Sequence, residues 1–449
     1  MNSLFLTDGY KTSHNKQYPE GTTLVFSNFT PRSDNHANEG LKNKGVVVFG
    51  IQYMLKVLKE HFDKNFFMAQ EREALSLMSL SLYNEHIEKL KRNKIDEIKK
   101  EFSLYLGMEY DTTHFEELWD LGYLPIEVRA LAEGTISPIK VPVLTVHNTL
   151  PEFYWVTNYL ESIISNLLWK PITSATIARE YKNILNHWAI KTTGSTEGTE
   201  WQGHDFSMRG MDSIEAVVSS GLGHLTSFMG TDSLPAIFGA RHYYGETGFV
   251  AGSVPATEHS VMCAGSKEGE LETFRRLLNT YPTGILSVVS DTWDLWNVIT
   301  NILPQLKEEI LSRDGKLVIR PDSGDPTDIL CGEHEPYRVI SKKVIDEPFI
   351  LPTGQKFMFI EESGENKFYT KTKDGYVDYV YESKHKGVIE LLWDIFGGTT
   401  NEQGYKVLNP HIGAIYGDSI TLERADDICR RLEAKGFAST NVVFGIGLA

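Results

Sequence analysis

Apolar runs of four to six residues recur through the second half of the chain and alternate with amphipathic stretches. The runs cover residues 285–290, 316–320, 412–416 and 441–444. After the third run, apolar residues at helical spacing continue until Gly436. Continuous apolar strands that alternate with helices are typical of a parallel sheet covered by helices, either open or closed into a barrel. The pattern therefore predicts an α/β architecture.

The first half of the chain mixes short strand-like runs with helical patterns. Residues 22–29 and 45–49 predict strands, and the stretch after Gly50 predicts a helix. Residues 68–102 show a helical pattern with many charges of both signs. Because these charges alternate at i,i+4 spacing, we interpret this stretch as a solvated helix face rather than an anion-binding surface.

Residues 333–384 interrupt the alternation of strands and helices. Polar turns separate three short strand-like runs in this segment, at residues 356–361, 367–372 and 376–382. This pattern indicates a small antiparallel β insert. We therefore divide the chain into an N-terminal α+β domain over residues 1–165 and a barrel domain over residues 166–449 that contains the insert.

Composition and charge restrict the classes of function. Hydrophobic residues make up 41% and charged residues 23% of the 449 residues, and the net charge is −16. This acidic balance argues against a broad nucleic-acid or anionic-membrane surface, and phosphate ligands would need local Arg, Lys or backbone N–H groups. The three cysteines, Cys263, Cys331 and Cys429, are too widely spaced to indicate a thiolate zinc site or a disulfide framework.

The sequence also lacks the pattern of a membrane span or a signal peptide. It contains no apolar run of about 18 residues. Its N-terminal MNSLFLTDGYK has no basic region followed by a long apolar stretch. We therefore expect a cytoplasmic protein with no membrane partner.

Three of the predicted strands are followed by an aspartate: Asp291, Asp322 and Asp418. Ligand sites of parallel α/β proteins gather at the carboxyl ends of the strands, where aspartates can hold ribose hydroxyls, a metal or a catalytic histidine. An aspartate after a strand also caps the next helix. Since Arg320 and Gly417 lie beside two of the three, we favour a ligand site.

The segment GHDFSMRG, residues 203–210, is the densest polar region of the chain. It brings His204, Asp205, Phe206 and Arg209 into one short loop or turn. An aromatic face stacks on flat rings, and a guanidinium binds anions or carbonyls. By itself, this segment is weak evidence for a ligand site.

Three further segments carry polar or glycine-rich turns. Residues 228–232 predict a Gly-hinged turn with Asp232, and residues 252–260 predict an exposed loop with His259. The 14 histidines show no zinc-ligand spacing, so we expect no metal site formed by the protein. Residues 444–447, FGIG, have the composition of a phosphate-cradling turn, although they match neither GxGxxG nor a Walker motif.

Taken together, these segments resemble the nicotinamide phosphoribosyltransferase family, a group of type II phosphoribosyltransferases. The resemblance extends from residues 6–19 to residues 442–447, and only residues 333–384 lack a counterpart in the shorter members. It is carried by LTDGYKTSHNKQYP, LPIEVRALAEG, PEFYWVTNYLES, HDFSMRG, GTDS, SVPATEHS, SVVSD, IRPDSGDP, YGDS and VVFGIG. The length and order of these motifs make the match specific.

The resemblance implies an irregular α/β barrel and a homodimer whose active sites lie at the subunit interface. It implies the formation of nicotinamide mononucleotide and pyrophosphate from nicotinamide and phosphoribosyl pyrophosphate, in the salvage of nicotinamide into NAD. Mg²⁺ would be bound with the diphosphate, and ATP would be a co-substrate.

The resemblance also implies roles for residues around the base. Phe206 and Tyr10 of the partner subunit would sandwich the pyridine ring. Asp232 would accept a hydrogen bond from the carboxamide NH₂, Arg320 would bind near its carbonyl, and Arg209 would lie near the base and the diphosphate. A carboxylate at Asp232 favours an amide and repels the carboxylate of nicotinate, so we expect nicotinamide as the substrate.

The remaining implied roles concern the sugar, the phosphates and ATP. His259 would be phosphorylated by ATP, which couples ATP hydrolysis to product formation, and Asp291 would orient its imidazole. We count His259, Asp291 and Asp322 as the catalytic residues. The other substrate-binding residues are Asp8 and Arg32 of the partner subunit, Ser287, the ribose-binding Asp322, Gly417 and Asp418, and Gly447 near the ribose phosphate.

Three other interpretations stay open. One is a nicotinate phosphoribosyltransferase on the same fold. Another is a truncated, non-catalytic nucleotide-binding relative, because family members continue beyond the glycine loop with Arg and Lys side chains for the phosphates. The third, an unrelated barrel hydrolase with paired carboxylates, is weaker because it leaves the aromatic residues and His259 without a role.

Overall fold

A computed structural model describes residues 1–333 and 382–447, together with the backbone of four short strands between them. For Glu382 and Asp418 only the backbone is described. The chain forms two compact units. Unit 1 comprises Met1–Arg179, Met211–Thr226 and Leu234–Val250, and unit 2 comprises Glu180–Gly210, Ser227–Ser233 and Ala251–Ala449. The division at residue 165 stays a prediction.

Unit 1 combines two small antiparallel sheets with helices. One sheet has the strand order β1-β5-β3 and the other pairs β2 with β4. The strands are β1 (Phe26–Phe29), β2 (Val46–Val47), β3 (Ile126–Ala130), β4 (Ile136–Ser137) and β5 (Leu144–Asn148). The helices are α1 (Ile51–Asn65), α2 (Ala69–Leu75), α3 (Leu80–Leu106), α4 (Thr113–Leu121), α5 (Val156–Tyr159), α6 (Glu161–Thr193), which continues into unit 2, α7 (Ile214–His224) and α8 (Leu234–Tyr244).

The core of unit 1 is largely aromatic. Phe62, Phe66, Phe115 and Trp119 are all at most 1% exposed. The rings of Phe66 and Trp119 pack edge to face with centroids 5.7 Å apart. Rings of this size bury about 150–250 Å² each, so this cluster supplies much of the apolar burial of unit 1.

The helix predicted after Gly50 is confirmed, because α1 begins at Ile51. Gly50 has a φ of 85°, and a Cβ there would lie 2.5 Å from the Cγ of Pro171, so this position requires glycine. The strands predicted at 22–29 and 45–49 are confirmed only in part, as the shorter β1 and β2.

The single helical stretch predicted over residues 68–102 is in fact two helices, α2 and α3. Four residues separate them, and Ser76 and Ser79 lie at either end of this break. Ser76 Oγ donates a hydrogen bond to the Glu73 carbonyl, 2.6 Å away. Serine side chains that bond to nearby backbone compete with helix continuation, which explains the break.

Unit 2 is built on strands and helices that alternate along the chain. The strands are β6 (Gly203–Asp205), β7 (Gly230–Thr231), β8 (Thr283–Val289), β9 (Asp314–Arg320), β10 (Phe349–Ile350), β11 (Lys356–Phe357), β12 (Phe368–Lys371), β13 (Val377–Val380), β14 (Gly398–Thr400), β15 (Lys406–Leu408), β16 (Ile412–Ile420) and β17 (Val442–Ile446). The helices are α9 (His259–Ala264), α10 (Glu270–Thr280), α11 (Leu295–Asn297), α12 (Leu303–Gln305), α13 (Lys307–Ser312), α14 (Pro326–Cys331), α15 (Glu382–Phe396) and α16 (Leu422–Ala434).

The main sheet of unit 2 is parallel throughout, with the strand order β7-β6-β17-β16-β9-β8. The segment 252–256 bridges its two edges. Gly252 pairs with Gly230 of β7, and Ala256 pairs with Ser287 of β8. The sheet therefore curls into an irregular α/β barrel, which confirms the predicted fold class.

The apolar runs in the second half of the chain are confirmed as β8, β9, β16 and β17. Three expectations near them are corrected. His204 and Asp205 lie in β6 rather than in a loop, and β7 replaces part of the turn predicted at 228–232. Phe444 to Ile446 belong to β17, so only Gly447 of the expected FGIG turn follows the strand. Strands of two or three residues show too little alternation to be recognised from sequence.

The four strands between residues 333 and 382 pair as two antiparallel hairpins, β10 with β11 and β12 with β13. This confirms the antiparallel β insert, while the rest of that segment lies outside the described residues. Across the described part of the chain, no helix is both long and apolar enough to cross a membrane.

A buried acid lies at the start of α10. Glu270 is 2% exposed, and its Oε1 has no hydrogen-bond partner among the described residues. Burial raises the pKa of Glu270 from 4.5 to about 7, the charge of Asp294 acts in the same direction, and Lys267 opposes them. The folded protein therefore holds this proton over a pH range in which the unfolded chain releases it.

Glu270→Gln is expected to flatten the dependence of stability on pH. Because the folded-state pKa is raised, the wild type loses stability as the pH rises from about 4.5 past 7, by up to about 3 kcal/mol. The variant carries no such titration and should exceed the wild type at pH 8. Urea unfolding at pH 5 and pH 8 measures this, with the exposed Glu268→Gln as control. Equal pH slopes in the wild type and Glu270→Gln would contradict the assignment.

Candidate active site

The carboxyl ends of β8 and β9 bring two of the predicted aspartates together. Asp322 follows β9, and its backbone N–H donates to Asp291 Oδ2 at 2.9 Å. Ser323 Oγ donates to the same oxygen. Arg320, the last residue of β9, donates through Nη2 to Asp322 Oδ2 at 3.3 Å. The Oδ1 atoms of Asp291 and Asp322 are buried without hydrogen-bond partners among the described residues, so both can accept bonds from a ligand.

Two glycines within the C-terminal halves of β16 and β17, Gly417 and Gly445, make room for this convergence. A Cβ on Gly417 would lie 2.2 Å from Asp322 Oδ1 and 2.8 Å from Arg320 Nε. A Cβ on Gly445 would lie 2.7 Å from the Gly417 carbonyl oxygen and 2.8 Å from Phe206 Cδ2. Any larger residue at either position would displace the site side chains.

Phe206 follows β6 and presents the aromatic ring of the site. The Cζ of Arg320 lies 5.0 Å from its ring centroid. The ring of His204 lies 4.6 Å from it, centroid to centroid, at an interplanar angle of 34°. The structure thus combines a flat apolar face with guanidinium donors, which suits a planar ligand that carries a carbonyl.

Asp232 follows β7 and faces the same region. Its Oδ1 lies 2.9 Å from His204 Nε2 and accepts a hydrogen bond from Ser253 Oγ. Burial by itself raises the pKa of Asp232, but the hydrogen bonds from His204 and Ser253 and the positive charge of Arg320 outweigh it and lower the pKa below 3.8. The carboxylate is therefore ionised at neutral pH and acts as an acceptor.

His259 is the first residue of α9, and half of its side chain is exposed. Its Nδ1 lies 3.1 Å from Thr292 Oγ1, and its Nε2 lies 3.8 Å from Asp322 Oδ2. No hydrogen bond or ion pair joins it to Asp291 in the described part of the chain. Thr292, the residue after Asp291, makes this contact with the imidazole, and the orienting role of Asp291 stays a prediction.

The structure places the other expected residues of unit 2 as follows. Ser287 is buried in β8, where its N–H donates to the Pro255 carbonyl at 2.9 Å. Arg209 is exposed in the short 3₁₀ helix Ser207–Gly210, and Gly447 is exposed after β17. The side chain of Asp418, which we expect to contact the ribose, is not among the described parts of the structure.

Three expected site residues belong to unit 1. The side chain of Tyr10 is 61% exposed, and Asp8 accepts a hydrogen bond from Ser162 Oγ. Arg32 lines a cavity of about 890 Å³ within this unit. Their contribution to a site on another copy of the chain stays a prediction.

Sequence reasoning gave no role to several residues that shape the site. His204 and Ser253 hold Asp232, Thr292 contacts His259, and Ser323 contacts Asp291. One usable signal was the i,i+2 spacing of His204 and Phe206, which places two side chains on one face of a strand. Among the described residues, no group of three or more His, Cys, Asp or Glu could hold a metal ion.

Comparison with known sequences identifies the family of the chain. Residues 201–449 match the sequence model of the nicotinate phosphoribosyltransferase (NAPRTase) family, and residues 2–91 match that of the nicotinamide phosphoribosyltransferase N-terminal domain. The chain belongs to the nicotinate phosphoribosyltransferase family, and the resemblance inferred from its motifs is confirmed.

The similar relatives carry a more specific name than the family does. A nicotinamide phosphoribosyltransferase of Acinetobacter baylyi is 44% identical over 458 aligned positions that cover 100% of this chain and 78% of the relative. A nicotinamide phosphoribosyltransferase of Mycoplasma pneumoniae is 33% identical, and the alignment covers 100% of this chain and 85% of that relative. A crystal structure of human nicotinic acid phosphoribosyltransferase is 14% identical, with a TM-score of 0.49 over 98% of this chain and 72% of that chain.

Proposed function

We propose that this chain is a nicotinamide phosphoribosyltransferase, which forms nicotinamide mononucleotide and pyrophosphate from nicotinamide and phosphoribosyl pyrophosphate in NAD salvage. The observation that carries the proposal is the ionised carboxylate of Asp232 beside Phe206 and Arg320. A carboxylate acceptor, a guanidinium donor and an aromatic face together match the NH₂, the carbonyl and the ring of a pyridine carboxamide.

The reaction needs positioning more than proton transfer. The pyridine nitrogen attacks C1 of the ribose, a new C1–N bond forms, and the C1–O bond breaks with its electron pair leaving on pyrophosphate. Because C1 becomes cationic on the way, nearby carboxylates stabilise the transition state. Asp291 and Asp322 supply these carboxylates at the strand ends, and their unpartnered oxygens can also orient the ribose hydroxyls.

The charge of Asp232 supports nicotinamide over nicotinate. An ionised Asp232 attracts the NH₂ of an amide and repels the carboxylate of nicotinate. Pyrophosphate release by the wild-type chain with each base tests the proposal. Faster turnover of nicotinate would favour the nicotinate interpretation. Binding of nicotinamide mononucleotide without turnover would favour a non-catalytic relative.

Mg²⁺ and ATP belong to the proposal as reaction partners. Mg²⁺ prefers oxygen ligands, which the diphosphate itself supplies. Bound with the diphosphate, Mg²⁺ would neutralise charge on the leaving group. ATP would phosphorylate His259, whose imidazole is exposed and whose Nδ1 is fixed by Thr292.

Replacing His259 by Ala is expected to abolish stimulation by ATP while some basal transfer remains. The variant keeps the binding residues of the base and the sugar but loses the imidazole that would accept the phosphoryl group. Rates of nicotinamide mononucleotide formation with and without ATP measure the effect. His242→Ala, which removes an exposed histidine of α8, is the control and should keep the stimulation. ATP stimulation that survives in His259→Ala would rule out the phosphohistidine.

The proposal includes a homodimer in which each copy completes the other's site. Tyr10 supports this because its ring is largely exposed, and Arg32 because it lines an open cavity of unit 1. In the dimer, Tyr10 of the partner subunit would cover the second face of the pyridine ring, while Asp8 and Arg32 of the partner subunit would approach the phosphates.

A further inference from the structure

The carboxylate of Asp232 is held through only one of its two oxygens. Both hydrogen bonds that it receives, from His204 Nε2 and Ser253 Oγ, end on Oδ1. Within the described ranges, Oδ2 receives no hydrogen bond. An ionised carboxylate only accepts, so the Nε2 of His204 must carry a proton. The two donors therefore fix the rotation of the carboxylate and leave one oxygen for a ligand.

The ring of His204 is itself fixed by neighbouring strands. His204 of β6 pairs with Gly230 of β7, two residues before Asp232. A Cβ on Gly230 would lie 2.7 Å from His204 Nδ1, so the ring occupies the space that glycine leaves. The ring of Phe206 lies 4.6 Å away, centroid to centroid, and only 12% of the His204 side chain is exposed. This confinement keeps Nε2 directed at Asp232.

We propose that His204 is a positioning residue that sets the preference for an amide over a carboxylate on the pyridine ring. It does so by holding Asp232 through Oδ1, so that Oδ2 alone meets the substituent of the base. The inference rests on the proposed function. Without the hydrogen bond from His204, the carboxylate of Asp232 rotates and becomes easier to protonate. Both changes weaken the discrimination of Asp232 against a base that carries a negatively charged substituent.

The test measures binding of two probes, nicotinamide mononucleotide and nicotinate mononucleotide, to the full chain by titration calorimetry. His204→Phe keeps an aromatic ring but has no donor, and the ratio of the two affinities should fall about tenfold or more. His204→Gln places an amide NH₂ at the reach of Nε2 and should keep most of the ratio. His187→Phe, at an exposed position of α6, is the control and should leave the ratio unchanged.

The ratio of the two affinities distinguishes a positioning role from a structural one. General loosening of the fold would weaken the binding of both mononucleotides equally and leave this ratio unchanged. A wild-type ratio in His204→Phe would overturn the inference. If His204→Phe fails to fold, His204→Asn replaces it, since its amide stops at the position of Nδ1 and cannot reach Oδ1. A wild type that binds neither mononucleotide, or prefers the nicotinate form, would instead refute the proposed function, and the inference with it.

Discussion

Asp232→Asn is expected to remove most of the preference for nicotinamide over nicotinate, with a change of about 100-fold in the ratio of the two kcat/KM values. Two like charges about 5 Å apart repel by roughly 3 kcal/mol at an effective dielectric constant of about 20. The asparagine carries no charge, so this penalty on nicotinate disappears. Its NH₂ can also donate to a carboxylate, which improves the fit of nicotinate further.

The comparison uses initial rates of pyrophosphate release with each base at saturating phosphoribosyl pyrophosphate. Asp314→Asn is the matched control, because Asp314 is exposed at the start of β9, at the end of the strand opposite Arg320. This control should show the wild-type preference. An Asp232→Asn variant that discriminates as the wild type does would refute the role of the carboxylate in base recognition.

Gly417→Ala is expected to lower kcat/KM by about 100-fold for either base. The new Cβ would lie 2.2 Å from Asp322 Oδ1, far closer than a non-bonded carbon and oxygen can approach, so Asp322 and Arg320 must move. A misplacement of about 1 Å in a site that works by positioning costs about 100-fold in rate. Unlike Asp232→Asn, this change leaves the charge of Asp232 in place, so the preference for nicotinamide over nicotinate should persist while the turnover of both bases falls.

Gly413→Ala in the same strand provides the control for Gly417→Ala. A Cβ on Gly413 would lie 3.3 Å from Cδ of Lys316, part of a long side chain that can shift by a few tenths of an ångström. The control should keep both activity and melting temperature. If Gly417→Ala retains wild-type kcat/KM while its fold is intact, the close packing around Asp322 has no catalytic importance.

The longer strands of the barrel could be predicted because each is an uninterrupted apolar run. Most of the apolar residues of these strands are buried, and Leu317 and Ile319 of β9 are at most 1% exposed. The aspartates that follow β8 and β9 could be placed at one edge of the sheet for the same reason, since parallel strands end together. The sequence was therefore sufficient to place together the two aspartates that we propose hold the ribose.

The proposed base site was harder to predict because it depends on the shortest strands. β6 and β7 have three and two residues, and only their pairing brings His204 beside Gly230. Asp232 gains its donors from residues 28 and 21 positions away, His204 and Ser253. Contacts between such distant residues follow from the fold and leave no local pattern. The contact of His259 is a second example, because the folded chain places Thr292, and not the expected Asp291, against its imidazole.

The central claim is that a pyridine carboxamide binds against Phe206 with its amide at Asp232. A crystal structure of the chain with nicotinamide mononucleotide tests it most directly. We expect the pyridine ring on the face of Phe206, the amide nitrogen within hydrogen-bond distance of Asp232 Oδ2, and the ribose beside Asp322. A ring bound away from Phe206, or an amide directed away from Asp232, would contradict it.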